Sequence, residues 1–150
     1  MCWKEKLIND IKKNKISSVK NFIKHDDCNI YIDFLTIESL IKIATEYENL
    51  EIKLFLEKIY NKKNKLINAI KNNNLELVNS LFVEHRIDLD LSTAYDAIVT
   101  ASEYGNLEIV KLYYENYNNF MLEWNSRITN ALDNAFKNNH LNIITYIIDK

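Results

Sequence analysis

The sequence predicts an all-α fold, a short solenoid of about five stacked helix-turn-helix repeats. One phrase returns five times: a small or apolar anchor, a polar turn and a second apolar run. Its clearest copy is IVTASEYGNLEIVKLYY at residues 98–114. Internal periods of roughly 20 to 50 residues indicate a stacked array. The 150 residues include no Pro and one Gly, whereas loop-rich β folds need both residue types for their turns.

The first helix of each repeat is predicted from apolar or small residues three apart, and the second from an amphipathic run after the turn. The residues that open the second helices are separated by 34, 25, 32 and 34 positions: Ile16, Leu50, Leu75, Leu107 and Leu141. We expect one domain over 1–150, with repeats near 5–35, 36–60, 61–92, 93–126 and 127–150. The separation of 25 is too short for a full unit. It predicts a shortened connection around 60–65 and a local change in stacking.

The tight turn inside each repeat requires one residue in the left-handed conformation, which Gly adopts freely and Asn tolerates. Glu48 is the exception among the residues at this position, which are Asn14, Glu48, Asn73, Gly105 and Asn139. Four residues earlier, four repeats carry an Ala that would allow close helix packing. The first repeat carries Asp10 there, and we expect it to face water at the end of the stack.

Three connections between repeats are predicted to form finger-like loops, at residues 26–36, 86–93 and 117–127. Residues 29–33 alternate between polar and apolar types, a pattern that fits a short strand but does not exclude a helix. Trp124 lies in the third connection. Because Trp is enriched in binding hot spots, Trp124 is a candidate contact with a partner, and burial in the fold is the alternative.

The segment ASEYGNLEIVKLYYE, together with NNHLNIITYII and NNNLELVNSLF, resembles the ankyrin repeat. The resemblance is that of a divergent member, since the TPLH opening of the family is missing and Gly remains in one turn only. The amino-acid composition of these repeats, rich in Asn, Ile and Lys, is similar to that of ankyrin proteins of large DNA viruses, including giant viruses and poxviruses.

The resemblance implies a non-enzymatic protein-protein interaction module that binds a protein partner through a concave groove and the finger loops. If the protein is viral, a host regulatory factor is the expected target. Residues on the groove side of the first helices are the candidate contacts, and an ordinary solvated helix surface is the alternative for each. These residues are Tyr47, Asn68, Lys71, Thr100, Glu103, Tyr104, Asn134 and Lys137.

Composition and motifs exclude several other classes. The isoelectric point of about 5.9 and the lack of a continuous basic stripe argue against nucleic-acid binding. No run approaches the roughly 18 apolar residues of a membrane span. Two Cys residues suit a reducing, intracellular setting, which we take as the cytoplasm, of the host cell if the protein is viral. Because Cys28, His25 and His85 lie in no catalytic or ligand-spaced motif, we expect no enzyme activity, no metal and no cofactor.

The last predicted helix is unusually apolar. It carries four Ile residues over six positions, Ile143, Ile144, Ile147 and Ile148, with only two residues after them. This is more than one narrow helical stripe needs, so some of these side chains are expected to be exposed. The alternative function is therefore a self-associating structural protein of a virion or a replication compartment, a homo-oligomer formed through the C-terminal repeat.

Overall fold

The computed structural model describes residues 3–24, 34–85, 91–117 and 124–150. Over these ranges the chain forms helices and short turns, and no strand is present in them. The helices are α1 (Trp3–Lys12), α2 (Ile16–Lys24), α3 (Phe34–Glu46), α4 (Leu50–Lys71), α5 (Leu75–His85), α6 (Leu91–Tyr104), α7 (Leu107–Tyr117), α8 (Trp124–Lys137) and α9 (Leu141–Ile148). They form five repeats: α1 with α2, α3 with the start of α4, the end of α4 with α5, α6 with α7, and α8 with α9.

The turn inside each repeat has the predicted left-handed residue. All five positions have positive φ, from 50° at Asn73 to 77° at Gly105, and Glu48 adopts the same conformation at 54°. In each turn the N–H of the following residue returns to a carbonyl of the first helix, as from Asn106 to Ala101 at 2.8 Å and from Asn49 to Ala44 at 2.9 Å. This hydrogen bond satisfies a carbonyl that the end of the helix leaves without a partner.

The chain divides into two compact units, residues 1–64 and residues 65–150. In the first unit, α1 packs on both α2 and α3. Its core is an apolar cluster in which every side chain is fully buried, made of Leu7, Ile11, Val19, Leu40, Ala44, Ile52 and Leu56. Each helix of this unit gives one stripe to the core, because an isolated amphipathic helix cannot bury its own apolar face.

In the second unit, helices of successive repeats stack on one another. Helix α6 packs against α7 and α8, while α7 contacts both α5 and α9. Small residues let α6 and α8 approach closely, since Ala97, Ala101, Ala131 and Ala135 are fully buried. Between α5 and α7, the Phe82 ring meets the edge of Tyr113 with ring centroids 5.3 Å apart. The predicted fold class, an all-α solenoid of helix pairs, is confirmed.

The shortened connection predicted around residues 60–65 is present, and it is helical rather than a loop. These residues lie inside α4, a continuous helix of 22 residues that serves repeat 2 at its start and repeat 3 at its end. The segment contains no Gly or Pro that would end a helix, and its Lys and Asn residues can remain helical. The short repeat spacing is therefore achieved by merging two helices.

The expectation that Asp10 faces water is wrong. Its side chain is buried at 7% exposure and accepts a hydrogen bond from Ser18 Oγ at 2.8 Å. Lys15 Nζ lies 3.8 Å from the same carboxylate. Because Ser18 takes a position that is apolar in the other repeats, the polar pair replaces an apolar contact within repeat 1.

Much of the predicted finger loops lies outside the described residues, as do His25, Cys28 and the strand-like segment 29–33. Where the structure describes these connections, their ends are helical. Residues 34–36 begin α3, residues 91–93 begin α6, and residues 124–127 begin α8. Trp124 is therefore the first residue of a helix and does not lie in a loop, and its side chain lies outside the described part of the chain.

Candidate functional site

The predicted contact residues cluster at the C-terminal ends of the first helices, next to the left-handed turns. Tyr104 is the last residue of α6, and Tyr47 follows the end of α3. Both rings are about half exposed, 47% for Tyr47 and 45% for Tyr104. Lys71 and Lys137 end α4 and α8 in the same way and are exposed.

Each unit contains a lysine that lies over one of these tyrosine rings. In residues 1–64, Lys12 Nζ is 5.1 Å from the centroid of the Tyr47 ring. In residues 65–150, Lys71 Nζ is 6.0 Å from the centroid of the Tyr104 ring. At exposed sites such cation–π contacts contribute about 0.5–1 kcal/mol, enough to favour one ring orientation. The structure therefore brings Lys71 and Tyr104 together, as members of one predicted surface.

A buried hydrogen bond supports each tyrosine from the adjoining turn. The Asn49 side chain donates to the carbonyl of Ile11 at 2.6 Å, and the Asn106 side chain donates to the carbonyl of Ile70 at 2.7 Å. Both Asn residues are buried. Each hydrogen bond links the turn of one repeat to the last turn of the first helix in the preceding repeat. The position of the neighbouring tyrosine is therefore fixed by the backbone of two repeats.

His140 makes the corresponding bond in the last repeat. Because a carbonyl oxygen can only accept, the Nε2–H of His140 donates to the carbonyl of Glu103, at 3.0 Å. The imidazole lies against Gly105, where a Cβ atom would come within 2.7 Å of the ring. His140 therefore has a structural role at this turn, and its contact gives Gly105 a second reason to be glycine.

The remaining predicted residues lie in the second unit. Asn68 and Glu103 are exposed, while Thr100 and Asn134 are half-buried. They lie on the first helices α4, α6 and α8, the same helices that end in Lys71, Tyr104 and Lys137. Tyr47 belongs to the first unit.

Sequence reasoning missed Lys12, Asn49 and Asn106 as parts of this surface. A signal for the two Asn residues was present, because the phrases EYENLEI and EYGNLEI place Asn at the same position two residues after Tyr. For Lys12 the signal was its recurrence as Lys71 and Lys137, two residues before the left-handed Asn. The contact between a lysine of one repeat and a tyrosine of the next could not be predicted, because the sequence does not show how successive repeats align in the stack.

No group of three or more His, Cys, Asp or Glu residues in the described ranges is placed to hold a metal ion. None of the helices described has the length and apolarity that crossing a bilayer requires.

Helix pairs joined by left-handed turns, with the ends of the first helices exposed, define an all-α repeat protein. The family model for ankyrin repeats in three copies matches residues 66–150, which corresponds to repeats 3–5. The chain therefore belongs to the ankyrin-repeat family. No curated protein and no solved structure matches it.

Proposed function

We propose that this chain binds a protein partner through the ends of its first helices, with Tyr47 and Tyr104 as the main anchors. Ankyrin repeats are general protein-protein interaction modules. The observation that carries the proposal is the repeated Lys–Tyr pair, which holds a half-exposed aromatic ring in the same setting in both units. Tyrosine is enriched in binding hot spots, and a ring held before binding loses less conformational entropy in a complex.

The remaining predicted residues are proposed as the wider contact surface in residues 65–150. Asn68, Thr100 and Asn134 supply amide and hydroxyl groups for hydrogen bonds, and Glu103 and Lys137 supply charges of both signs. A surface of this kind suits a polar protein partner better than an apolar ligand. Trp124 and the finger loops stay part of the proposal, as does one repeat domain over 1–150.

The setting is proposed on sequence grounds. Divergent repeats rich in Asn, Ile and Lys resemble those of large DNA viruses, and the low Cys content suits a reducing compartment. We propose an intracellular, cytoplasmic protein, and for a viral protein a host regulatory factor as its target. No catalytic step is proposed.

The test is affinity capture with the full chain, followed by titration calorimetry with the captured partner. Tyr47→Ala and Tyr104→Ala are each expected to weaken binding about tenfold or more, as hot-spot aromatics do. Val83→Ala is the matched control, because Val83 is 74% exposed on α5 and lies outside the predicted surface. If neither tyrosine variant weakens binding more than the Val83 variant does, the proposed surface is wrong.

A second candidate function is self-association as a structural protein. The observation that favours it is the outer side of the last repeat, where Phe136 is 75% and Ile148 is 68% exposed. Sedimentation equilibrium of the full chain tests it. A monomer at high micromolar concentration would remove this candidate, and a dimer that Ile148→Glu dissociates would support it.

A further inference from the structure

Helix α4 differs from the second helices of the other repeats in its length. It has 22 residues, whereas α2, α5, α7 and α9 have between 8 and 11. Four exposed residues of its first half follow one another at helical spacing, three or four positions apart. We call these residues the α4 row: Leu50, Leu54, Lys58 and Asn61. At the rise of an α-helix, the row extends over about 16 Å of the helix surface.

The first half of the α4 row is apolar and exposed. Leu50 is 64% and Leu54 is 56% exposed. Residues four apart on a helix are neighbours, so the two side chains form one apolar patch. Leu54 also breaks the pattern of the repeats, because the residue four positions after the start of the second helix is polar in the others: Lys20, Asn79, Lys111 and Thr145. An exposed leucine at this position is therefore particular to repeat 2.

The second half of the α4 row is positively charged. Helix α4 contains two acidic residues, and both already have a lysine partner. Glu51 Oε1 lies 3.1 Å from Lys20 Nζ. Glu57 Oε1 lies 3.8 Å from Lys53 Nζ. Lys58 has no ion-pair partner among the described residues, and no acidic residue follows it in α4. The charge that remains at the row is therefore positive.

We propose that the α4 row is a docking surface for an amphipathic helix of a partner protein, with apolar residues at one end of its contact face and acidic residues at the other. The apolar side chains cover Leu50 and Leu54, and a carboxylate pairs with Lys58. Charge complementarity selects an acidic helix, because a basic one would place like charges against Lys58. Nucleic acid would neutralise Lys58 through its phosphates and would leave the two leucines in water.

The orientation of the partner helix follows from the order of the row. Leu50 and Leu54 precede Lys58 along α4, so an antiparallel partner has its acidic residues first and its apolar residues last. This order places carboxylates in the first turns of the partner helix, where they also stabilise it through the helix dipole. The α4 row lies on a second helix, and this inference is independent of the tyrosine surface proposed above.

The test is an NMR titration of the isotope-labelled full chain with a synthetic peptide. The peptide is capped at both ends and carries glutamates on one face of its first two turns and leucines on the same face of its last two, with alanine and glutamine elsewhere. The amide signals of the α4 row are expected to shift, with a Kd below about 1 mM. Added salt should weaken the binding, because the ion pair with Lys58 lies at the surface. Unchanged signals at the row up to this peptide concentration overturn the proposal.

Two variants of the row and two matched controls locate the binding. Leu54→Ala and Lys58→Glu should each weaken peptide binding by about tenfold or more. Leu35→Ala and Lys42→Glu make the same changes at exposed positions of α3 and should leave the affinity unchanged. Tyr47→Ala should also leave it unchanged, which separates this surface from the tyrosine surface. If the row variants bind the peptide as well as the α3 controls do, the proposal is wrong.

Other occupants of the row give different results. A peptide with lysines in place of the glutamates should not bind, and equal binding of both peptides would overturn the acidic partner. An oligothymidylate that binds through Lys58 more tightly than the peptide, and that is insensitive to Leu54→Ala, would assign the row to nucleic acid. A dimer of the free chain that Leu54→Ala dissociates would assign it to a second copy. Either of the last two results would overturn the proposed partner.

Discussion

The contact between Gly105 and His140 leads to a prediction that separates backbone strain from side-chain crowding. Gly105 has φ 77°, and a Cβ atom there would lie 2.7 Å from His140 Cε1 and 2.8 Å from Nδ1. Asn occupies the equivalent left-handed position in three other repeats. Replacement of Gly105 by Asn therefore tests the crowding, whereas replacement by Ala tests crowding and strain together.

The size of each effect can be estimated. An L residue without local hydrogen bonding in the left-handed region costs about 1–2 kcal/mol, a cost that Asn largely avoids. If the imidazole moves to admit a Cβ atom, the bond from Nε2 to the Glu103 carbonyl is lost, at about 0.5–1.5 kcal/mol. We therefore expect Gly105→Asn to lower the free energy of unfolding by about 1 kcal/mol and Gly105→Ala by about 2–3 kcal/mol.

The assay is urea unfolding followed by circular dichroism, with the free energy taken from linear extrapolation. His140→Ala completes a double-mutant cycle with Gly105→Asn. In the His140→Ala background, the cost of Gly105→Asn should fall to a few tenths of a kcal/mol, which is a coupling energy of about 0.5–1 kcal/mol. If Gly105→Asn costs the same in both backgrounds, the imidazole is not what excludes a side chain at this turn, and the reasoning is refuted.

Three further outcomes are expected. Glu48 is a non-glycine residue at φ 54°, so Glu48→Asn should raise the free energy of unfolding by about 0.5–1 kcal/mol and the melting temperature by about 1–4 °C. The Tyr113 hydroxyl is buried with no hydrogen-bond partner among the described residues, so Tyr113→Phe should be neutral or stabilise by about 1 kcal/mol at pH 7 in urea unfolding. Asp10→Ala should cost about 1 kcal/mol by leaving Ser18 without its partner, and Ser18→Ala added to it should cost less than the sum, measured by the same unfolding assay.

The pH dependence of the Tyr113 variant follows from burial. Desolvation, with a smaller contribution from Tyr117, raises the pKa of Tyr113 above its ordinary value of 10.0. Above pH 10 the unfolded chain loses this proton while the folded chain keeps it, so stability falls as pH rises from there. Tyr113→Phe should make this fall shallower, and an equally steep fall in both proteins would contradict the assignment.

The predictions for Glu48 and Asp10 each have a control or an outcome that would contradict them. Glu46→Asn changes the same residue type within the right-handed helix α3 and should lower stability by a few tenths of a kcal/mol. If both Glu variants shift the melting temperature in the same direction, strain at Glu48 is not the cause. If Asp10→Ala raises stability, the buried Asp–Ser pair is weaker than the apolar contact it replaces.

Local chemistry made the turns predictable and left the packing between repeats undetermined. Gly105 and the three Asn residues indicate left-handed positions, because few other residue types tolerate that conformation. Glu48 could be assigned to such a position only from its place in the repeat. The merger of two helices into α4 was missed because spacing alone does not distinguish a short loop from no loop. Asp10 was misjudged because its partner Ser18 lies on the other helix of the repeat.

The candidate surface shows the same division. The exposure of Tyr47 and Tyr104 followed from their position at the ends of first helices, since such ends face away from the packed stripe. Their lysine partners come from the preceding repeat, and neither composition nor periodicity states how far one repeat is rotated against the next. The burial of Asn49 and Asn106 could not be predicted for the same reason, because each side chain donates a hydrogen bond to a carbonyl of the preceding repeat.

The order in which these helices touch has a consequence for how the chain acquires its structure. Helices α1 and α2, α6 and α7, and α8 and α9 pack as sequence neighbours, and α6 also packs against α8, the first helix of the next repeat. Such short-range pairing gives a low contact order and favours rapid folding. During synthesis, each helix pair can therefore pack on the preceding pair of the same unit, before the rest of the polypeptide has been made.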